Sequence, residues 1–103
     1  MTAPAYLVVE MHVTDPERYE RYKAAAPALI KAYGGEYLAR GGRHETLEGD
    51  WQPHRVVVLR FPSYAQARAF YADSGYVRDV KPLRDGAAEY FNMVLVEGVS
   101  APV

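Results

Sequence analysis

The sequence predicts a ferredoxin-like α+β domain, βαββαβ, with a four-stranded antiparallel sheet covered on one face by two helices. Three observations carry that reading. Residues 6–13 alternate strictly between two kinds of side chain, as a strand with one apolar face does. Two stretches, opened at Thr14-Asp15-Pro16-Glu17 and at Ser63-Tyr64-Ala65-Gln66, carry helix-start chemistry followed by apolar residues at helical spacing. Between and after them lie an apolar run at Val56 to Leu59 and a further alternating segment, Glu89 to Glu97.

In the first strand Leu7, Val9, Met11 and Val13 form one face, and Tyr6, Val8, Glu10 and His12 the other. The first helix follows, with Pro16 in its first turn and Tyr19, Tyr22, Ala26, Ile30 and Tyr33 as its stripe. Pro27 lies inside it, removes one hydrogen bond and is expected to bend or divide it. Gly34-Gly35 stops the helix, and Glu36 to Arg40 reads as a short strand. Gly41-Gly42 then releases the backbone into a polar excursion, Arg43 to His54. Arg43 to Glu48 alternates, which predicts either a continuation of the strand or a small hairpin arm; Asp50 to Pro53 turns the chain back. Ala67, Phe70 and Tyr71 mark the second helix, which Ser74-Gly75 ends, and Tyr76 to Arg84 reads as one more short helix. The tail, Gly98 to Val103, is expected to be loose.

A chain of 103 residues, half of them hydrophobic, is one domain, with its core at 5–98. A net charge of -1 excludes the basic footprint of a nucleic-acid or anionic-membrane partner. Without cysteine there is no disulfide, thiol nucleophile or thiolate metal site. No apolar run approaches membrane-spanning length, and cytoplasmic location is the expectation. Nine tyrosines against three phenylalanines suit half-buried surfaces such as interfaces and pocket walls. Leu7, Val9, Met11, Val57, Leu59, Phe61, Phe91, Met93 and Leu95 are placed to meet the helices. The opposite face, with Tyr6, Val8, Glu10, His12, Val56, Val58, Arg60, Tyr90 and Asn92, is too apolar for open solvent and too polar for an ordinary core. A second copy packed sheet to sheet would resolve this, with Val8, Glu10, Val56, Val58 and Arg60 at a homodimer interface.

These pieces together resemble domain-of-unknown-function family 1330, within the dimeric α/β-barrel superfamily, over nearly the whole chain from Tyr6 to Gly98. The matching pieces are the Val-Thr-Asp-Pro helix start, Tyr-Gly-Gly-Glu, Arg40-Gly41-Gly42, Leu47-Glu48-Gly49-Asp50-Trp51, Arg55 with its valines, Phe61-Pro62-Ser63 and Leu95-Val96-Glu97-Gly98. Ser74-Gly75-Tyr76 departs from the pattern, where a proline or acidic residue is expected before the tyrosine. The resemblance implies the fold and the dimer. It implies no reaction, since relatives in the superfamily range from cofactor-free monooxygenases to haem enzymes and fold alone does not transfer function.

The candidate ligand-binding residues are Arg40, Glu48, Trp51 and Tyr22. An arginine fork holds a carboxylate, a glutamate takes a proton, and an indole walls a flat ligand. The competing explanation is an Arg40–Glu48 ion pair with Trp51 packed over it. Glu10, His12 and Arg60 form a second set, in which His12 is the best-placed general base; an interface network of polar groups is the alternative. His12, His44 and His54 lack metal-ligand spacing, no histidine stands out as a haem ligand, and the paired glycines lack a phosphate loop's lysine and strand-to-helix context, so neither metal nor cofactor is expected. Two functions remain. One is a noncatalytic dimeric module that binds a small molecule or a partner. The other is a metal-free enzyme doing proton or oxygen chemistry on a small aromatic or carbonyl compound, with His12 or Glu48 moving protons.

Overall fold

The computed structural model describes residues 3–100, so the expectation for the tail at 101–103 lies outside the described residues. Four strands, β1 (Ala5–Val13), β2 (Glu36–Arg40), β3 (Arg55–Phe61) and β4 (Ala88–Glu97), alternate with helices α1 (Pro16–Ala32) and α2 (Tyr64–Ala72) in the predicted βαββαβ order. The sheet is antiparallel, in the order β2-β3-β1-β4. This is the ferredoxin-like α+β fold. The molecule is 16 Å across its thin axis, the depth of one sheet and one helix layer. No helix among the described residues is long and apolar enough to cross a membrane.

Alternation in β1 sends Leu7, Val9 and Met11 to the helices, where all are buried with Val57, Leu59 and Phe61 of β3. Phe61, Phe70 and Tyr76 are buried completely and pack ring against ring, Phe70 lying 5.4 Å from Phe61 and 4.6 Å from Tyr76. Truncating one such aromatic to alanine costs about 3–5 kcal/mol. Asp15 caps α1 through its side chain, and Ser63 caps α2 by accepting from the Gln66 backbone N–H at 3.1 Å.

Of the two outcomes expected at Pro27, division does not occur: helix α1 runs unbroken from Pro16 to Ala32. Its stripe of Tyr19, Tyr22, Ala26 and Ile30 is buried on both sides of the proline, and that packing outweighs one missing hydrogen bond. Residues 41–54 contain no strand. They are an irregular arm, pinned by His44 between the carbonyls of Gly42 (3.1 Å) and Pro53 (2.8 Å) and by the Thr46 hydroxyl on the Trp51 carbonyl. The left-handed backbone at Gly41 and Gly49 turns the chain away from strand geometry. The short helix expected at Tyr76 to Arg84 is present as a π-helical turn, Tyr76–Val80, followed by a 3-10 turn, Lys81–Arg84. Pro82 has no backbone N–H to continue an α-helical ladder there.

Candidate functional site

The pairing of β2 with β3 decides where Arg40 goes. Tyr37 stands opposite Leu59 and Arg40 opposite Val57, with the register shifting at Leu38. Leu59 and Val57 face the helices, so this bulge turns both Tyr37 and Arg40 to the helix side, where plain alternation would have parted them. The Arg40 guanidinium lies 4.4 Å from the centre of the Tyr37 ring. Its Nη2 donates to the Lys23 carbonyl at 3.0 Å. That carbonyl is the one that Pro27, four residues on and lacking an N–H, leaves without a donor in α1. Arg40 therefore ties the end of β2 to the middle of α1.

Behind this tie is a cleft between α1 and the sheet, with Tyr19, Tyr22, Tyr37, Arg40, Arg55 and Phe91 on its walls. Its enclosed volume is about 30 Å³, room for about one water molecule. Tyr19 and Tyr22 stack with ring centres 5.8 Å apart, and Phe91 meets Tyr22 edge-on at 6.1 Å. The hydroxyls of Tyr22 and Tyr76 share a hydrogen bond of 2.7 Å. Burial first, and then Tyr76, push the Tyr22 hydroxyl well above its ordinary pKa, so it remains a proton donor.

Three guanidinium groups surround these rings. Arg55 lies over Tyr19 at 5.9 Å, and Arg84 lies over Phe91 at 3.8 Å and Tyr22 at 5.4 Å. The ion pairs among the described residues are His12–Glu89, Lys23–Glu20, Arg60–Glu36 and Arg78–Asp79; none takes in Arg40, Arg55 or Arg84. The Nε of Arg55 and the Nη1 of Arg84 are shielded from solvent and have no hydrogen-bond partner. Burial raises the Tyr19 hydroxyl's pKa, and the charges of Arg55, Arg40 and Arg84 oppose that rise.

The other face of the sheet carries a second constellation. Glu10 is only 8% exposed; Asn92 Nδ2 donates to its Oε1 at 3.4 Å, while Oε2 has no hydrogen-bond partner. Burial raises its pKa, but the polar hydrogens of Tyr90, Asn92 and Trp51, with the nearby His54, outweigh burial and hold the carboxyl below the usual range. His54 Nδ1 is 2.8 Å from the Tyr90 hydroxyl and His12 Nδ1 is 2.8 Å from Glu89. The His12 and His54 rings stack at 3.8 Å. A shift in the β1–β4 register beyond His12 puts Glu89 beside Tyr90 on this face. Next to this network Trp51, Glu48, Leu47 and Val56 line a broad, open hollow of about 680 Å³.

Residues 4–99 match the family model described as Domain of unknown function (DUF1330). The chain belongs to the DUF1330 family. No curated protein matches it. Among solved structures this DUF1330 chain is similar to a protein of unknown function from Rhodopseudomonas palustris, at 18% identity and a TM-score of 0.77, with 97% of this chain and 85% of that one covered. It is also similar to SnoaB, a cofactor-independent oxygenase from Streptomyces nogalater (16% identity, TM-score 0.60, 97% of each chain). A third likeness is to a dabb family protein with a ferredoxin-like fold from Mesorhizobium loti (13%, 0.59, 96% of this chain and all of that one). At these identities the likeness is one of fold.

The residues singled out in the sequence of this DUF1330 protein thus fall in two places. Arg40 and Tyr22 share the cleft; Trp51 and Glu48 share the hollow on the opposite face, with Glu10 and His12 nearby. Arg40 bonds the Lys23 carbonyl rather than Glu48. Val8, Val56 and Val58 are half-buried on the uncovered face, and Arg60 pairs with Glu36 at 3.6 Å. Sequence reasoning missed Arg55 as a wall residue and Arg84 as a charge over Phe91 and Tyr22. Arg55 had a signal: it is in phase with Val57 and Leu59, the helix-facing residues of β3.

Proposed function

We propose that this DUF1330 protein is a homodimeric, noncatalytic module that binds a small molecule in the cleft between α1 and the sheet, with Arg40 as an anion-holding group and Tyr22 as a wall. The observation that carries this reading is the concentration of tyrosine, phenylalanine and arginine around one interior opening, with no carboxylate among the lining residues. An aromatic wall with a few convergent polar groups is what small-molecule sites are made of. One Arg40 N–H is taken up by the Lys23 carbonyl, which leaves the rest of the fork for a ligand. Pairing of the uncovered faces through Val8, Val56 and Val58 would leave each cleft free, because the helices and the interface lie on opposite sides of the sheet. Trp51 and Glu48 would then serve the interface side. The test is a thermal-shift screen of small carboxylates and neutral analogues on the purified protein. Stabilising compounds should lose up to about fivefold in affinity on Arg40→Ala, because Arg40 stands exposed at the mouth, where a charge pair contributes about 0.2–1 kcal/mol. Unchanged affinity with the fold and dimer intact would remove Arg40 from the site.

A second reading, a metal-free proton-transfer enzyme, has its own support in Glu10. A buried, ionised carboxylate with an unbonded oxygen, beside His54 and Tyr90, is the arrangement of a general base. Under that reading Glu10→Gln abolishes turnover of any substrate found and spares ligand binding in the cleft; under the first reading there is no turnover to lose.

A further inference from the structure

We infer that the cleft receives a planar aromatic carboxylate, and that Arg55 is the residue that holds its charge from within. The inference rests on the small-molecule reading above and adds the ligand class and a residue that reading does not use. Arg55 opens β3 opposite Met11, on the helix side. Its guanidinium lies against the backbone of Gly41, so closely that a methyl group on Gly41 would collide with it. Gly41 holds a left-handed φ of 71°, which itself disfavours any other residue. The turn thus lies directly against the guanidinium.

The charge of Arg55 is uncompensated. It makes no ion pair, its Nε donates to nothing, and Arg40 and Arg84 add charge of the same sign around Tyr19. Like charges gathered without a counter-ion destabilise a fold, and an anion between them relieves that cost. Arginine's fork matches the two oxygens of a carboxylate. The remaining surface selects the body of the ligand. Tyr19, Tyr22 and Phe91 present ring faces and edges over an apolar floor of Val9, Val57 and Met93. A flat ring fits between rings where a branched or puckered body does not. That apolar floor also favours a single charge over a dianion, since burying each further charge is costly. The space of about 30 Å³ is smaller than such a ligand, so entry moves Arg40 and Lys23 aside at the mouth. The bond from Arg40 to the Lys23 carbonyl is what opens.

The experiment titrates the full chain with 2-naphthoate and with 2-naphthamide, a neutral compound of the same shape, and follows backbone amide signals by NMR. We expect naphthoate to move the signals of Tyr22, Arg55 and Phe91 and to bind at least tenfold tighter than naphthamide. Arg55→Met should weaken naphthoate far more than naphthamide and so remove most of that preference; Arg55→Lys, which keeps charge but not the fork, should fall between. Should Arg55→Met fail to fold, Arg84→Met tests the same field from behind Phe91 and should narrow the preference. Equal binding of acid and amide in the cleft overturns the carboxylate assignment, and a preference that survives loss of Arg55 overturns the part given to Arg55; either leaves the small-molecule reading intact. Cleft signals that respond to neither compound, nor to any compound of the screen, overturn both.

Discussion

Glu10 contributes to the acid sensitivity of this fold. Its carboxyl is buried, which raises its pKa, yet the hydrogen bond from Asn92 and the nearby polar groups of Tyr90, Trp51 and His54 hold it below the ordinary value of 4.5. The stabilisation is therefore fully present above that value and is lost as pH falls through the lower, folded value. Glu10→Gln should be less stable than the parent at neutral pH, and the difference should shrink as urea midpoints are followed from pH 7 down toward about 3. A constant difference across that range would assign the effect to packing. The Tyr22–Tyr76 pair makes a second residue-scale prediction. Tyr76→Phe leaves the buried Tyr22 hydroxyl without its partner at 2.7 Å, and the loss should be about 1–3 kcal/mol in a denaturant melt.

At the scale of elements, the arm over 41–54 is governed by His44. Both ring nitrogens face carbonyl oxygens, of Gly42 and Pro53, and only the protonated ring donates to both; these bonds raise its pKa above 6.5. A raised pKa means a contribution present below 6.5 and lost as pH rises through the folded value. Trp51, the one tryptophan, lies in that arm. Its fluorescence should change as the arm loosens with pH rising through the folded value, and His44→Ala should abolish the change. The bulge at Leu38 predicts differently: deletion of Leu38, which is 53% exposed, leaves Ala39 opposite Val58 and Arg40 opposite Val57 in plain pairing. The fold and the contact from Arg40 to Lys23 should survive, as a near-parental NMR spectrum would show. These two elements also mark how far the sequence could be read. Strands β1, β3 and β4 and both helices follow from period and caps, because burial of one face stabilises each of them. The arm alternates from Arg43 to Glu48, but alternation without a neighbouring strand has nothing to pair with. A bulge leaves no trace in period over a five-residue strand, so the side taken by Arg40 was not legible, nor was its parting from Trp51 and Glu48. Arg84 meets Phe91 and Tyr22 only through the 3-10 turn that follows an irregular helix, which no local pattern specifies.

Among the described residues the molecule is two layers, with both helices on one face of the sheet. On the other face Val94 and Val96 are 61% and 47% exposed, beside the half-buried Val8, Val56 and Val58. Contiguous apolar surface of this kind is what the proposed dimer would cover. Val94→Asp would place a charge in the middle of two apposed sheets while touching nothing in the helix-side core. It should convert a dimer to a folded monomer in light scattering at micromolar concentration. A parent that is already monomeric would remove the dimer from the proposed function and leave the cleft untouched, since cleft and face are separated by the sheet.

The proline in α1 also constrains the order in which this sequence can change. Pro27 and Arg40 answer one another across the cleft mouth: the first withholds an N–H from the Lys23 carbonyl, and the second supplies one. Losing Arg40 while Pro27 remains strands a carbonyl, whereas losing Pro27 first lets the helix mend itself and makes Arg40 dispensable to the fold. The path that replaces the proline first is therefore the easier one and the path that removes the arginine first costs about one hydrogen bond, although both reach the same double variant. Descendants of this chain are expected to keep arginine, or another reaching donor, at 40 for as long as they keep proline at 27. Arg40→Met should accordingly cost stability in the parent and much less in a Pro27→Ala background; equal losses in the two would dissolve the partnership.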